Sequence, residues 1–215
     1  MPHPTCPLSG RLQPMSRQPR DHTAIFGPSG RRMLYEQTQH ASEFAHTNTP
    51  QGQVAMVLLE VGLAPGSSHL SERILEPVTS KLSKVLNARL RSIDVLVRTA
   101  DTELAVLLAQ AHLGVAAAFS ERLKQPIDQA LSEMHVASDI VVSVGLAANP
   151  PASSWGPEAL IELADFRMRS ARQRALSLKS REWAVEVDGD SIPQAWADSE
   201  VWPATTVITT GQMGL

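Results

Sequence analysis

Val54-Ala-Met-Val-Leu-Leu-Glu-Val61 is an almost unbroken apolar run, closed by Gly52 on one side and by Gly62 and Pro65 on the other. A run this short and without polar alternation suits a strand covered on both faces, so the chain needs helices above and below one sheet. The rest of the sequence supplies them. Leu70, Ile74, Leu75, Val78, Leu82, Val85, Leu86 and Leu90 recur at helical spacing, with Lys81, Lys84 and Arg91 on the polar face. Pro77 should kink that helix or mark a late start. Val95–Arg98 and Leu104–Leu108, separated by Thr99–Glu103, read as a hairpin. A further helix starts near His112 or Gly114 and carries Phe119, Leu123, Ile127, Leu131 and Met134 on one face, with Pro126 expected to bend it. Ile140–Ala147 is rich in β-branched residues and predicts a strand, and a long helix follows from about Pro157 to Leu178. Trp183–Val187 alternates and predicts an edge strand, while Arg31–Phe44 predicts a short helix ahead of the first strand. Strand, helix, hairpin, helix, strand, helix gives an α/β chain, an α+β sandwich with a βαββαβ core: a central, mostly antiparallel sheet flanked by helices.

The length of 215 residues predicts one core plus loose ends. Residues 1–20 hold Pro2, Pro4, Pro7 and Pro14 and little apolar surface, which predicts a disordered tail; 21–180 would be the folded domain. Residues 181–215 would hold the edge strand and an acidic tail, with no Lys or Arg after Arg181. A net charge of -3 argues against a surface that coats nucleic acid. The most apolar stretch, Leu104–Phe119, is interrupted by Gln110, His112 and Gly114, so no membrane span is expected. No secretory apolar segment is readable near Met1, and the expected location is cytoplasmic. Cys6 stands alone and the histidines are scattered, so neither a disulfide framework nor a His/Cys metal cluster is expected. Ser143-Val-Gly145 lacks the preceding glycine of a nucleophile elbow, because Val141 stands there.

The hairpin is the informative place. Arg91-Ser-Ile-Asp94, then Arg98-Thr-Ala-Asp-Thr-Glu-Leu104, resembles without a gap the diguanylate cyclase (GGDEF) family, where Arg-x-x-Asp precedes Arg-x-Gly-Gly-Asp/Glu-Glu-Phe. Ser143-Val-Gly-Leu-Ala147 is similar to that family's Ser-x-Gly-[IV]-Ala strand. Ala164-Asp165, Met168 and Ala171-Arg172 are similar to its Ala-Asp-x-Ala-Leu/Met-Tyr-x-Ala-Lys helix. The likeness spans about residues 50 to 180, and Asp21–Arg32 looks like a worn copy of the family's opening motif.

The departures bear on chemistry. Ala100-Asp101-Thr102-Glu103-Leu104 stands where the family has its signature, so Thr102 replaces a metal-binding carboxylate. Mg²⁺ wants hard anionic oxygens, and a neutral hydroxyl is a poor substitute. Ala100 adds a methyl where backbone would approach nucleotide, and Asp101 adds a like charge beside phosphates. Glu60 matches the family's first metal-binding Asp, but Gly62–Ser68 replaces the signature that follows, and the guanine-reading Asn falls at Ser67 or Ser68. The degenerate active-site positions are therefore Glu60, Ala100, Asp101, Thr102, Glu103 and Leu104. No catalytic residue and no metal are expected, with Mg²⁺ relevant only to a residual cyclase using Glu60 and Glu103.

The resemblance implies that the other site survives. In the family, Arg-x-x-Asp is the inhibitory site for cyclic di-GMP, and here it is Arg91 and Asp94, with Arg122 at the matching helix position. An arginine fork can donate to guanine O6 and N7, and a carboxylate can accept from the opposite edge. Arg89, Arg98 and Lys124 would add positive potential. The expected function is a catalytically inactive receptor for cyclic di-GMP that signals through an unidentified protein partner, with room for a homodimer. The alternatives are a nucleotide-independent scaffold, in which Arg91 and Asp94 are only an ion pair at a helix end, and a residual diguanylate cyclase.

Overall fold

A computed structural model describes residues 28–48, 53–67, 69–150 and 155–178, together with the backbone of 184–186. The expected tail at 1–20, the worn motif as far as residue 27, Ser68 and most of 181–215 lie outside the described residues, and the rest of that motif, 28–32, opens α1. The elements are α1 (Pro28–Asn48), β1 (Val54–Leu63), α2 (Leu75–Asn87), β2 (Val95–Ala100), β3 (Glu103–Ala109), α3 (Leu113–Glu133), β4 (Ile140–Ala148), α4 (Pro157–Leu178) and β5 (Ala184–Glu186). The sheet order is β2-β3-β1-β4-β5. The βαββαβ strands pair antiparallel, and β5 adds at the edge parallel to β4.

β1 is central and covered on both faces, as its composition requires. Ala55, Val57, Leu59 and Val61 enter the core beneath α2 and α3, with Val78, Leu82, Leu86, Phe119, Leu123 and Ile127. Val54, Met56 and Leu58 enter the opposite core beneath α1 and α4, with Leu34, Leu160, Leu163 and Met168. Successive side chains of a strand point to opposite faces, so an unbroken apolar run feeds two cores at once.

Three expectations change in detail. The helix predicted over Leu70–Leu90 divides into a 3-10 turn, Glu72–Ile74, and α2 from Leu75. Pro77 then lies in the first turn of α2, where an absent N–H costs nothing. The hairpin strands run further than predicted, because Ala100 pairs with Glu103 and only Asp101 and Thr102 remain as the turn, with a register shift between Arg98 and Ala100. The early helix is longer than predicted, Pro28–Asn48. α3 begins where expected, with the His112 ring accepting from the Gly114 N–H at 3.1 Å, and continues past Pro126.

Gly145 explains the Ser-x-Gly pattern in β4. A Cβ there would lie 2.0 Å from the Ala164 carbonyl oxygen and 2.5 Å from the Met168 amide nitrogen. α4 therefore lies directly on the backbone of β4, which places Arg169 and Arg172 over the end of β1.

Candidate functional site

Two regions gather polar side chains, one on each face of the sheet. The first lies between the α2–β2 connection, the end of β3 and the first half of α3. α2 stops at Asn87, and the chain reverses through a turn in which the Asp94 N–H donates to the Arg91 carbonyl at 3.1 Å. An Arg-x-x-Asp sequence is one β-turn long, so its first and last side chains meet across the turn. Here they chelate. Arg91 Nε donates to Asp94 Oδ2 at 3.0 Å, and Nη2 donates to Asp94 Oδ1 at 2.8 Å and to the Ala109 carbonyl at 2.9 Å. Asp94 also accepts from the main-chain N–H of Arg91 at 2.9 Å and of Ala109 at 3.3 Å. Its side chain is 2% exposed, whereas that of Arg91 is 51% exposed.

Beside this clamp is a cavity of about 420 Å³ lined by Arg89, Arg91, Asp94, Leu108, Val115, Phe119, Arg122 and Leu123. The volume falls within the roughly 300–1,000 Å³ usual for small-molecule sites. The fold thus brings together all three expected residues, Arg91, Asp94 and Arg122. Arg89, one of the three expected sources of extra potential, joins them; its Nη1 is tied to the Val85 carbonyl at 2.8 Å. The other two do not line the cavity. Lys124 pairs with Glu121 at 2.9 Å, and Arg98 is 4% exposed beneath the hairpin turn. Arg122 is exposed, and no described residue pairs with its guanidinium. The apolar floor of Leu108, Val115, Phe119 and Leu123 was hidden in the sequence, because those positions read as ordinary core.

The second region holds the other set of positions singled out in the sequence, Glu60 and Ala100–Leu104. Glu60 and Glu103 face each other across β1 and β3, and Ser143 stands opposite Glu60 on β4. Both carboxylates have protein partners: Arg172 donates to Glu60, and the Thr99 hydroxyl donates to Glu103. Burial pushes the Glu60 carboxyl above the usual glutamate range; Arg172 opposes this and Glu103 reinforces it. Arg98 donates to the Ala100 carbonyl at 3.2 Å and to the Asp101 carbonyl at 2.6 Å, and reaches Glu76 at 3.3 Å, so a guanidinium fills the concave side of the turn. Leu104 is buried in the core, and the Thr102 carbonyl accepts from the Val61 N–H at 2.8 Å. Ser67, one of the two positions matching the guanine-reading Asn, is buried and donates to Asp139 at 2.8 Å.

These residues do not fit a divalent metal pair. A guanidinium already satisfies one of the two carboxylates, the residue expected at a ligand position in the turn is the neutral Thr102, and Mg²⁺ binds through anionic oxygens and substrate phosphates. Among the described residues no group of three or more His, Cys, Asp or Glu is placed to hold an ion. The cavity beside Glu60 and Arg172 measures about 10 Å³, about the space one water needs.

Glu60 also makes a testable contribution to stability. A carboxyl whose folded pKa is raised stabilises the fold when protonated, and that contribution is lost as pH rises through the folded value. Urea melts should therefore show this contribution being lost as pH rises above the ordinary glutamate range, and Glu60→Gln should remove that part of the pH dependence.

Among the described residues, no helix is long and apolar enough to cross a membrane. Comparison with curated proteins finds no match. Among solved structures the chain is similar to the active GGEEF domain of a diguanylate cyclase from Vibrio cholerae, with 12% identity, a TM-score of 0.54, and coverage of 73% of this chain and 96% of that one. It is similar also to the GGDEF domain of DgcB from Caulobacter crescentus in complex with c-di-GMP, at 16% identity and TM-score 0.53, covering 77% and 94%. The GGDEF domain of YfiN from Pseudomonas aeruginosa matches at 17% identity and TM-score 0.52, covering 78% and 99%. These likenesses show the fold. The sequence model of the family described as "Diguanylate cyclase, GGDEF domain" matches residues 69–176, half of the chain; the match includes Arg91, Asp94, Arg122 and the β2–β3 hairpin, while Glu60 and Ser67 lie ahead of it. The chain belongs to the diguanylate cyclase GGDEF domain family.

Proposed function

We propose that this GGDEF domain is a receptor for cyclic di-GMP that has lost cyclase activity, binds its ligand in the cavity between the Arg91 turn and α3, and passes the signal to a protein partner. The observation that carries this reading is the cavity itself, which gathers Arg89, Arg91 and Arg122 against one carboxylate, Asp94, over an apolar floor. Three guanidiniums and one carboxylate suit a ligand with two phosphate charges and flat purine faces. The structure of DgcB with c-di-GMP shows that a GGDEF domain can bind this dinucleotide.

Calorimetric titration with cyclic di-GMP should show saturable binding in the micromolar range or tighter. Arg122→Ala should weaken it by about tenfold or more, the value of one charge-assisted hydrogen bond. Incubation with GTP and Mg²⁺ or Mn²⁺ should yield no cyclic dinucleotide, and product formation would overturn the loss of catalysis. One observation favours the scaffold alternative: Arg91 and Asp94 are bonded to each other and to the end of β3, as a purely structural clamp would be. Arg122, which holds nothing in place, separates the two readings, because a scaffold gives no reason for its replacement to alter nucleotide binding.

A further inference from the structure

The residues that follow β5 carry one sign of charge. From Val187 onward the chain holds Asp188, Asp190, Asp198 and Glu200, and neither Lys nor Arg. The arginine cavity carries the other sign. Arg89, Arg91 and Arg122 line it, and its carboxylate, Asp94, is chelated by Arg91 and only 2% exposed.

Sheet topology brings the two within reach. β5 runs parallel to β4, and the register carries Glu186 across to Gly145 on β4, Leu58 on β1 and Ala105 on β3. β5 therefore points toward the end of the sheet where the Ala109 carbonyl holds Arg91. From Glu186 to Ala109 is three strand spacings across and four residues along, about 20 Å at about 4.8 Å per strand and 3.4 Å per residue. The ten residues from Val187 to Trp196 span up to about 33 Å when extended, which leaves slack to cross onto the α2–α3 face.

Trp196-Ala-Asp-Ser-Glu200 begins at that distance. Alternate residues of an extended segment point the same way, so this spacing puts one indole and two carboxylates on one side. A flat ring followed by two negative charges suits three guanidiniums over Leu108, Val115, Phe119 and Leu123. Guanidinium stacks on indole and forks to carboxylate.

We propose that Trp196–Glu200 docks in the arginine cavity of its own chain and competes there with cyclic di-GMP. The competition rests on the receptor reading above; the docking does not. A tether supplies its segment at an effective concentration of about 1 mM, so a segment with an intrinsic dissociation constant of about 0.1 mM weakens the nucleotide about tenfold. Linkage is reciprocal: bound nucleotide expels the segment by the same factor and offers it to the protein partner.

The test compares the full chain with Trp196→Ala and with the double variant Asp198→Asn/Glu200→Gln, each checked by circular dichroism. Without nucleotide, both variants should move the amide NMR signals of residues 89–94 and 115–123. In calorimetric titration both should bind cyclic di-GMP about tenfold more tightly than the unmutated chain. Superimposable spectra over residues 89–123 with equal affinities would overturn the docking and leave the receptor standing. Tighter binding by the carboxylate variant alone, with those amides unmoved, would show diffuse charge repulsion and also overturn it. Moved amides in proteins that do not bind cyclic di-GMP would uphold the docking and overturn the receptor reading.

Discussion

Arg91→Ala is expected to weaken cyclic di-GMP binding by between about tenfold and about a hundredfold, the range of one charge-assisted hydrogen bond of about 1.5–3 kcal/mol. The substitution removes the Nη1 donor and also leaves the Asp94 carboxylate beside the cavity without its counter-charge, where it repels the ligand's phosphates. Asp94 keeps its two main-chain donors, the N–H groups of residue 91 and Ala109, so the turn retains an anchor. The variant should fold with a lowered melting temperature. Arg91→Lys keeps the charge but cannot chelate both Asp94 oxygens while also donating to Ala109 and the ligand, so its affinity should fall between the two. Titration of all three proteins, each checked by circular dichroism, measures the ordering.

The largest expected effect on stability lies on the other face. Gly145→Ala should destabilise the protein by about 3 kcal/mol or more, at or beyond the upper end of overpacking costs. The added methyl would overlap backbone: the Ala164 carbonyl at 2.0 Å and the Met168 amide at 2.5 Å, neither of which can rotate aside. α4 would have to lift from β4, loosening the hold of Arg172 on Glu60. The melting temperature should drop by roughly 10 °C. Because the arginine cavity is built from the α2–β2 turn, β3 and α3, the folded fraction should keep its affinity for cyclic di-GMP. A melting temperature within about 2 °C of the unmutated protein would contradict the packing account.

The fold was legible where one local pattern implied one tertiary role. The apolar run of β1 demanded two cores and has them, Ala55 and Val57 on opposite sides of Met56 marking one and Met56 itself the other. Pro157 marked the start of α4, and His112 the start of α3. The clamp between Arg91 and Asp94 was legible because their spacing is one turn. What stayed hidden depends on distant partners. The pairing of Arg172 with Glu60 spans 112 positions, and nothing local in either segment signals it. The sequence showed that Asp94 could accept hydrogen bonds from guanine, but only the packed structure shows that Arg91 and Ala109 already supply its donors. Gly145 carried a family pattern whose cause, the close approach of the Ala164 carbonyl, is likewise a contact across chain segments.

The most direct test of the central claim is an amide NMR titration of the protein with cyclic di-GMP in EDTA-containing buffer. The account predicts saturable shifts confined, among residues 28–178, to 89–94, 108–109 and 115–123, with residues 60–67 and 99–103 unmoved. Shifts centred on Glu60 and the Asp101–Thr102 turn, or no shifts at millimolar ligand, would contradict it.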